Sequence, residues 1–310
     1  MKKTSNFPLL IPAIAFALSF GLLASCERRQ PPPPPIVIAD TTIVSMARLD
    51  MHNPDVLVDA AMLAGMIGMP NVVVLDVSPA GNNLIPGAIW IDRTTLLRYV
   101  DGNPHGTETL ATFERVLGAN GIGNNTTVIV YDDANGMHAS RIFFHLKAMG
   151  HRDVRLLDGG LGAWIASGYP IVHSPAAPGP LVTYTSAQNN MDALSANINH
   201  VLYAKDSPEW SILDIRTQSE WDAGRIPGAI QLTFPGQFLN PDFTIRPRAE
   251  LEQIFAHIPR DTNLITYCGG GFRATFAHFI FTHVMGWPNA VLFYDGGWFN
   301  YTWAGAPAEW

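Results

Sequence analysis

The chain repeats itself, and the repeat limits what it can fold into. Val72-Val73-Val74-Leu75-Asp76 followed by Ile85-Pro86-Gly87-Ala88-Ile89 recurs as Ser211-Ile212-Leu213-Asp214 followed by Ile226-Pro227-Gly228-Ala229-Ile230. Further along, Thr127-Val128-Ile129-Val130-Tyr131-Asp132 returns as Asn263-Leu264-Ile265-Thr266-Tyr267-Cys268, and Leu157-Asp158-Gly159-Gly160 as Tyr294-Asp295-Gly296-Gly297. The ends agree as well, with Gly168-Tyr169-Pro170 against Gly305-Ala306-Pro307. Blocks that recur in one order at a nearly constant offset imply two copies of one supersecondary plan.

Within each copy, apolar runs of strand length alternate with amphipathic stretches of helix length. That alternation is the pattern of a parallel sheet covered by helices on both faces, so the fold class is α/β, in two tandem domains. In the second copy the spacing predicts strands near 211–215, 229–233, 264–267 and 290–293, and helices near 248–257 and 272–285. Clustered proline, alanine and glycine at 174–182 mark a linker between a domain at 46–173 and another at 183–310. A chain of 310 residues, 47% hydrophobic and 15% charged, has the material for two such cores.

The start of the chain reads as processing sequence. Lys2 and Lys3 precede an uncharged run at 7–24, the n-region and h-region of an export signal spanning 1–25. Leu23-Ala24-Ser25-Cys26 resembles a bacterial lipobox, which implies that Cys26 takes lipid on its sulfur and becomes the mature N-terminus. An uncleaved transmembrane anchor is the alternative, since the run is about long enough to span a bilayer. Glu27 stands where an inner-membrane retention signal would prefer Asp, so the resemblance points to the outer membrane, facing the periplasm. Consecutive prolines at 31–35 then favour an extended polyproline II spacer within 26–45. The membrane is thus expected as a partner only through this lipid, and a net charge of -7 argues against nucleic acid.

Cys26 and Cys268 are the only cysteines. If lipid consumes the first, one thiol remains and a disulfide framework is excluded. A buried inert cysteine is the plain reading of Cys268. Its neighbours favour another, because Cys268 ends a strand-like run and opens Cys268-Gly269-Gly270-Gly271-Phe272-Arg273 before a helical segment. Glycines let a loop curl with its N–H groups inward, and a helix N-terminus adds partial positive charge. Sulfur at the centre of such a loop is favoured as thiolate or persulfide, with Arg273 nearby. The expected site is therefore Cys268 as nucleophile, cradled by the amides of Gly269, Gly270, Gly271, Phe272 and Arg273.

These residues resemble the rhodanese sulfurtransferase family, in two tandem copies that cover nearly all of the body. The marks are Leu213-Asp214-Ile215-Arg216 with Glu220, Gly224-Arg225-Ile226-Pro227-Gly228-Ala229, the Cys268 loop and Asp295-Gly296-Gly297. The resemblance implies a catalytically silent first domain, consistent with Asp132 in the place of Cys268, and an active loop that faces it. It also implies double displacement: sulfane sulfur from a small donor such as thiosulfate or 3-mercaptopyruvate is held as a Cys268 persulfide, then passed to a thiol or cyanide acceptor, with no cofactor. Related phosphatases and arsenate reductases place five residues between cysteine and arginine, against four here. A non-enzymatic rhodanese-like binding module, tethered to the membrane, is the alternative from another class. The sequence also departs from familiar two-domain members: Gly269 and Gly270 supply no cation inside the loop, Arg273 stands where mercaptopyruvate users end in a small hydroxyl residue, and Glu220 replaces an arginine.

Other residues invite plainer readings. Asp214 and Arg216, two apart at a strand end, are expected to support the turn by pairing with each other or with backbone. Asp132 and Asp133 with His138 are read as a solvated loop, and no metal is expected. His278 and His283 are read as core or surface residues, on different faces of the helix because five residues separate them. Met62, Met66 and Met69 fit core packing, Trp298 and Trp303 are expected against the sheet, and Phe234, Phe238 and Phe243 are candidates for the mouth of the site.

Overall fold

The computed structural model describes residues 45–310; the stretches read above as an export signal (1–25), a lipidated Cys26 and a proline-rich spacer lie outside the described residues. Among the described residues, no helix is long and apolar enough to cross a membrane. The strands of the first copy are β1 (Leu57–Val58), β2 (Val72–Asp76), β3 (Ile89–Trp90), β4 (Leu97–Val100), β5 (Asn103–Thr107), β6 (Thr127–Tyr131) and β7 (Asp153–Leu157). Those of the second are β8 (Ser195–Ala196), β9 (Trp210–Asp214), β10 (Ile230–Gln231), β11 (Asn263–Tyr267) and β12 (Val291–Tyr294).

The duplication seen in sequence returns as topology. One parallel sheet runs β1-β7-β6-β2-β3 and the other β8-β12-β11-β9-β10, strand for strand the same order. The pairing register repeats too: Asp76 sits beside Tyr131 where β2 meets β6, and Asp214 beside Tyr267 where β9 meets β11. Both β6 and β11 are buried from their second residue on and mostly apolar, as suits central parallel strands. Each runs directly into a loop and a helix, Met137–Ala148 after β6 and Phe272–Phe279 after β11. The antiparallel hairpin β4-β5 adds an arm to the first domain.

Those two helices pack on each other and join the domains. Phe143 meets Phe279 edge to face at 5.0 Å, while Phe144 meets His278 at 5.0 Å and Phe293 at 4.5 Å. Each buried phenylalanine contributes about 1.5–3 kcal/mol by apolar burial, so the junction is a continuous core. The Asp-Gly-Gly motifs reach across it in both directions. Asp158 accepts the Ile245 N–H at 2.8 Å and the Ser45 hydroxyl, and burial pushes its carboxyl up to about 7. Asp295, its repeat mate, accepts from Arg141 at 2.5 Å and from the Thr107 N–H at 3.1 Å.

Some sequence expectations are corrected here. The strand near 229–233 shrinks to Ile230–Gln231, because it pairs on one side only and Thr233 N–H turns to the Gln237 side chain. The helix near 272–285 is α-helical to Phe279 and continues as a π turn, Ile280–Val284. With one extra residue in that turn, His278 and His283 line the same cavity despite their spacing of five. Met69 lies beyond the helix Ala60–Met66 and is exposed, whereas Met62 and Met66 pack on the core. Trp303 is exposed beside Gly102, and only Trp298 packs inward. Phe234 and Phe238 are buried against Phe276 rather than at a site mouth, and Phe243 lies over Gly162.

Candidate active site

Cys268 follows β11 at the C-terminal edge of the sheet, where open α/β folds bind ligands. It is 2% exposed. Its loop is shaped by what holds the carbonyls. The Cys268 carbonyl accepts the Trp298 N–H at 2.8 Å and the Gly269 carbonyl the Phe299 N–H at 3.1 Å, both from the helix that the Asp-Gly-Gly motif opens. The Gly270 carbonyl accepts from Nη1 of Arg141, a first-domain residue, at 2.9 Å. A planar trans peptide points its N–H opposite to its C=O, so three carbonyls held outward leave the amides of Gly269, Gly270 and Gly271 facing in. Gly271 N–H donates to Cys268 Sγ at 3.2 Å; of the five amides expected as the cradle, it alone reaches the sulfur in this state.

Close contact with the first domain explains the glycines. A Cβ at Gly270 would lie 2.9 Å from Asn103 Oδ1, and one at Gly271, where φ is +95°, would lie 2.3 Å from Arg141 Nη1. Arg141 is fully buried and also donates to the His105 carbonyl at 2.7 Å and to Thr107 Oγ1 at 3.1 Å. The loop does face the first domain. Phe272 lies under the Arg141 guanidinium at 4.9 Å and that of Arg93 at 5.9 Å, with His138 edge-on at 4.8 Å and His105 at 5.5 Å. Burial, then the charge of Arg93, takes His138 down to about 3, and the neutral ring accepts from Arg93 Nε at Nδ1 over 3.3 Å.

Arg273 is less available than expected. Its guanidinium forms a two-pronged pair with Glu220 at 2.6 and 2.7 Å. Burial opposes its charge, yet Glu220 and the Cys268 sulfur together hold its pKa above the ordinary guanidinium value. Burial likewise works against the Glu220 carboxylate, which Arg273 and Thr217 nevertheless bring down to about 2. Glu220 is placed by a capping box, its carboxylate receiving the Thr217 N–H at 2.9 Å while Thr217 Oγ1 receives the Glu220 N–H. Thr217-x-x-Glu220 is the sequence signal that locates it.

Asp214 and Arg216 pair with each other and stay out of the loop. Arg216 donates to both carboxylate oxygens at 2.7–3.0 Å and to the Gly224 carbonyl at 2.6 Å, and Tyr267 OH donates to Asp214. The first copy has Ser78 in place of Arg216; there Asp76 Oδ2 is buried without a partner, and burial raises the carboxyl to about 6.

Asp132 is not in a solvated loop. Its buried carboxylate accepts four amides, of Ala134, Gly136, His138 and Ala139, at 2.7–2.8 Å. A carboxylate with two acceptor oxygens satisfies at once the inward amides that a single sulfur leaves largely open, so the first cradle is filled by its own side chain. Burial still pushes the Asp132 pKa up against those four bonds. This loop is also one residue longer, since its helix begins at Met137, five after Asp132, and the second at Phe272, four after Cys268. His138, next after Met137, thereby stands where Arg273 follows Phe272. Among the described residues, no group of three or more His, Cys, Asp or Glu side chains could hold a metal ion.

Comparison with known proteins gives this geometry its relatives. The rhodanese-like domain family matches residues 59–167 and again 198–303. A thiosulfate sulfurtransferase of Corynebacterium glutamicum is 29% identical over 277 residues, 79% of this chain and 87% of that protein. A putative thiosulfate sulfurtransferase of Saccharopolyspora erythraea is 31% identical over 245 residues, 73% of this chain and 84% of that protein. Among solved structures, an EanB variant with ergothioneine covalently linked to a persulfide cysteine superposes with a TM-score of 0.70 at 26% identity, covering 84% of this chain and 71% of that one. With two matched copies, the same strand order in each and the Cys268 loop at the edge of the second, this chain belongs to the rhodanese-like domain family.

Proposed function

We propose that the protein is a sulfurtransferase in which Cys268 accepts sulfane sulfur from a small donor and passes it to a thiophilic acceptor. The observation that carries this reading is the loop whose carbonyls are all held outward while Gly271 N–H meets the sulfur at 3.2 Å. Inward amides without partners stabilise a thiolate, and they are placed to stabilise the longer persulfide anion as well. The thiolate attacks the outer sulfur of the donor: a Cys268 S–S bond forms, the donor's bond to that sulfur breaks, and its electron pair departs with the remainder of the donor. A thiol or cyanide then attacks the outer persulfide sulfur, and the Cys268 thiolate leaves with the electron pair. The names of the sulfurtransferase relatives and the persulfide of EanB support this chemistry. The test is intact mass after incubation with thiosulfate or 3-mercaptopyruvate. A gain of about 32 Da that cyanide removes is expected; no gain from either donor while the Cys268 thiol remains alkylatable would overturn the proposal.

Donor preference follows from Glu220. Its carboxylate offsets the charge of Arg273, a cation that interacts with the Cys268 sulfur, so donors of low charge are favoured over a dianion such as thiosulfate. Glu220→Gln frees that charge and is expected to lower KM for thiosulfate about three- to tenfold, a modest effect because the pair is partly exposed. KM for an uncharged donor should stay the same. A thiosulfate KM that stays the same or rises removes this account.

A further inference from the structure

Three arginines stand around the Cys268 loop, Arg93, Arg141 and Arg273, and two of them are already engaged. Arg141 gives its terminal nitrogens to Gly270, His105, Thr107 and Asp295, and Arg273 gives both of its own to Glu220. Arg93 is different. It is partly exposed, and its one hydrogen bond runs from Nε to His138. Among the described residues no carboxylate lies within ion-pair distance of it. Its neighbour Asp92 is taken up by Thr94, accepting the N–H at 2.9 Å and the hydroxyl at 2.8 Å.

An arginine with free ends is ordinarily just solvated, but this one is held. His138 is buried and neutral, so its Nδ1 stays an acceptor for Arg93 Nε. The guanidinium also stands 5.9 Å from the centre of the Phe272 ring. With Nε and the ring contact fixed, the two terminal nitrogens form an ordered fork, the shape that takes a carboxylate by two parallel hydrogen bonds. Much of the cost of ordering the side chain is thus met before a ligand arrives. The fork belongs to the rim of the loop. Phe272 follows Gly271, whose N–H meets Cys268 Sγ, and the Arg93 charge is felt at His105, which a Cβ on Gly270 would approach to 3.0 Å.

We infer that Arg93 receives the carboxylate of the sulfur donor, so that the first domain selects which donor the Cys268 loop uses. The inference rests on the sulfurtransferase reading above and names its donor class, a mercapto acid with a single negative charge. With 3-mercaptopyruvate, the thiolate of Cys268 attacks the donor sulfur and the S–S bond forms. The donor's C–S bond breaks with its electron pair passing to the methylene carbon, and the proton lost by the transferred sulfur ends on that carbon, giving pyruvate and the persulfide anion.

The test compares 3-mercaptopyruvate with its methyl ester, which keeps the thiol and keto groups but has no charge, each given to the purified full chain with cyanide while thiocyanate is followed. The native chain is expected to favour the acid about thirtyfold in kcat/KM. Arg93→Gln should lower kcat/KM for the acid about thirtyfold and change that for the ester less than about twofold, so the ester reports that the variant is folded. Arg93→Lys, which keeps the charge but not the fork, should fall about fivefold with the acid. Equal use of acid and ester by the native chain overturns the inference, as does Arg93→Gln lowering both alike. Sulfur loading from thiosulfate but from neither mercaptopyruvate compound also overturns it, and leaves the sulfurtransferase reading standing. No loading from any of these donors sinks that reading, and this inference with it.

Discussion

Cys268→Ser is expected to leave a folded protein with no sulfur transfer. The substitution changes one atom in a nearly closed site, so the loop keeps its three outward carbonyl contacts with Trp298, Phe299 and Arg141. Stability should move by less than about 1.5 kcal/mol, as for a near-isosteric change in a packed site. Chemistry should cease. A serine hydroxyl is not ionised near neutrality, and its oxygen does not form the persulfide link that stores sulfur between the two half-reactions. The expected readings are no sulfur gain by mass, and thiocyanate formation from thiosulfate and cyanide at the rate of a protein-free control. Residual turnover above about 1% of the native rate, with an unchanged melting transition, would move the nucleophile away from Cys268. Among the described residues there is no other cysteine to receive it.

The position of that cysteine was legible because the repeat is strict where the sheets are. Matching Thr127–Tyr131 to Asn263–Tyr267 places Asp132 and Cys268 at equivalent strand ends, and the shared register of β2/β6 and β9/β11 gives the physical reason. Central strands tolerate no slip, since a one-residue shift turns every side chain to the other face. What remained hidden depends on contacts distant in sequence. Asp132-Asp133 looks like any exposed acidic turn until the amides of Ala134, Gly136, His138 and Ala139 are seen to converge on the first carboxylate. The π turn at Ile280–Val284 escaped because helical periodicity assumes a constant turn. Glu220 stands out in sequence as a departure, but its hold on Arg273, 53 residues away, exists only in the fold. Arg141 carried no signal at all, lying mid-helix in the first domain with nothing nearby in sequence to suggest its partners.

Arg141→Met should therefore damage a site it does not belong to by sequence. The buried guanidinium joins four groups of the domain junction: the Gly270 carbonyl, the His105 carbonyl, Thr107 Oγ1 and Asp295. Methionine fills part of the space but offers no donors, which leaves the carbonyls of Gly270 and His105 unmet. Removing one member of a buried pair costs about 3–5 kcal/mol. Asp295 is 28% exposed and can recover some hydration, so a loss of about 3 kcal/mol is expected in chemical denaturation. The kinetic effect should be larger than a structural role alone produces. With its carbonyl released, the Gly270–Gly271 peptide is free to rotate, and the N–H that meets Cys268 Sγ at 3.2 Å turns away. Losing one preorganised donor from an anion site lowers kcat about 10²-fold. Arg141→Lys, which can keep the Gly270 carbonyl while giving up the other contacts, should recover most of the rate and little of the stability. If instead rate and stability recover together, or if Arg141→Met turns over sulfur normally once folded, Arg141 serves only to dock the domains.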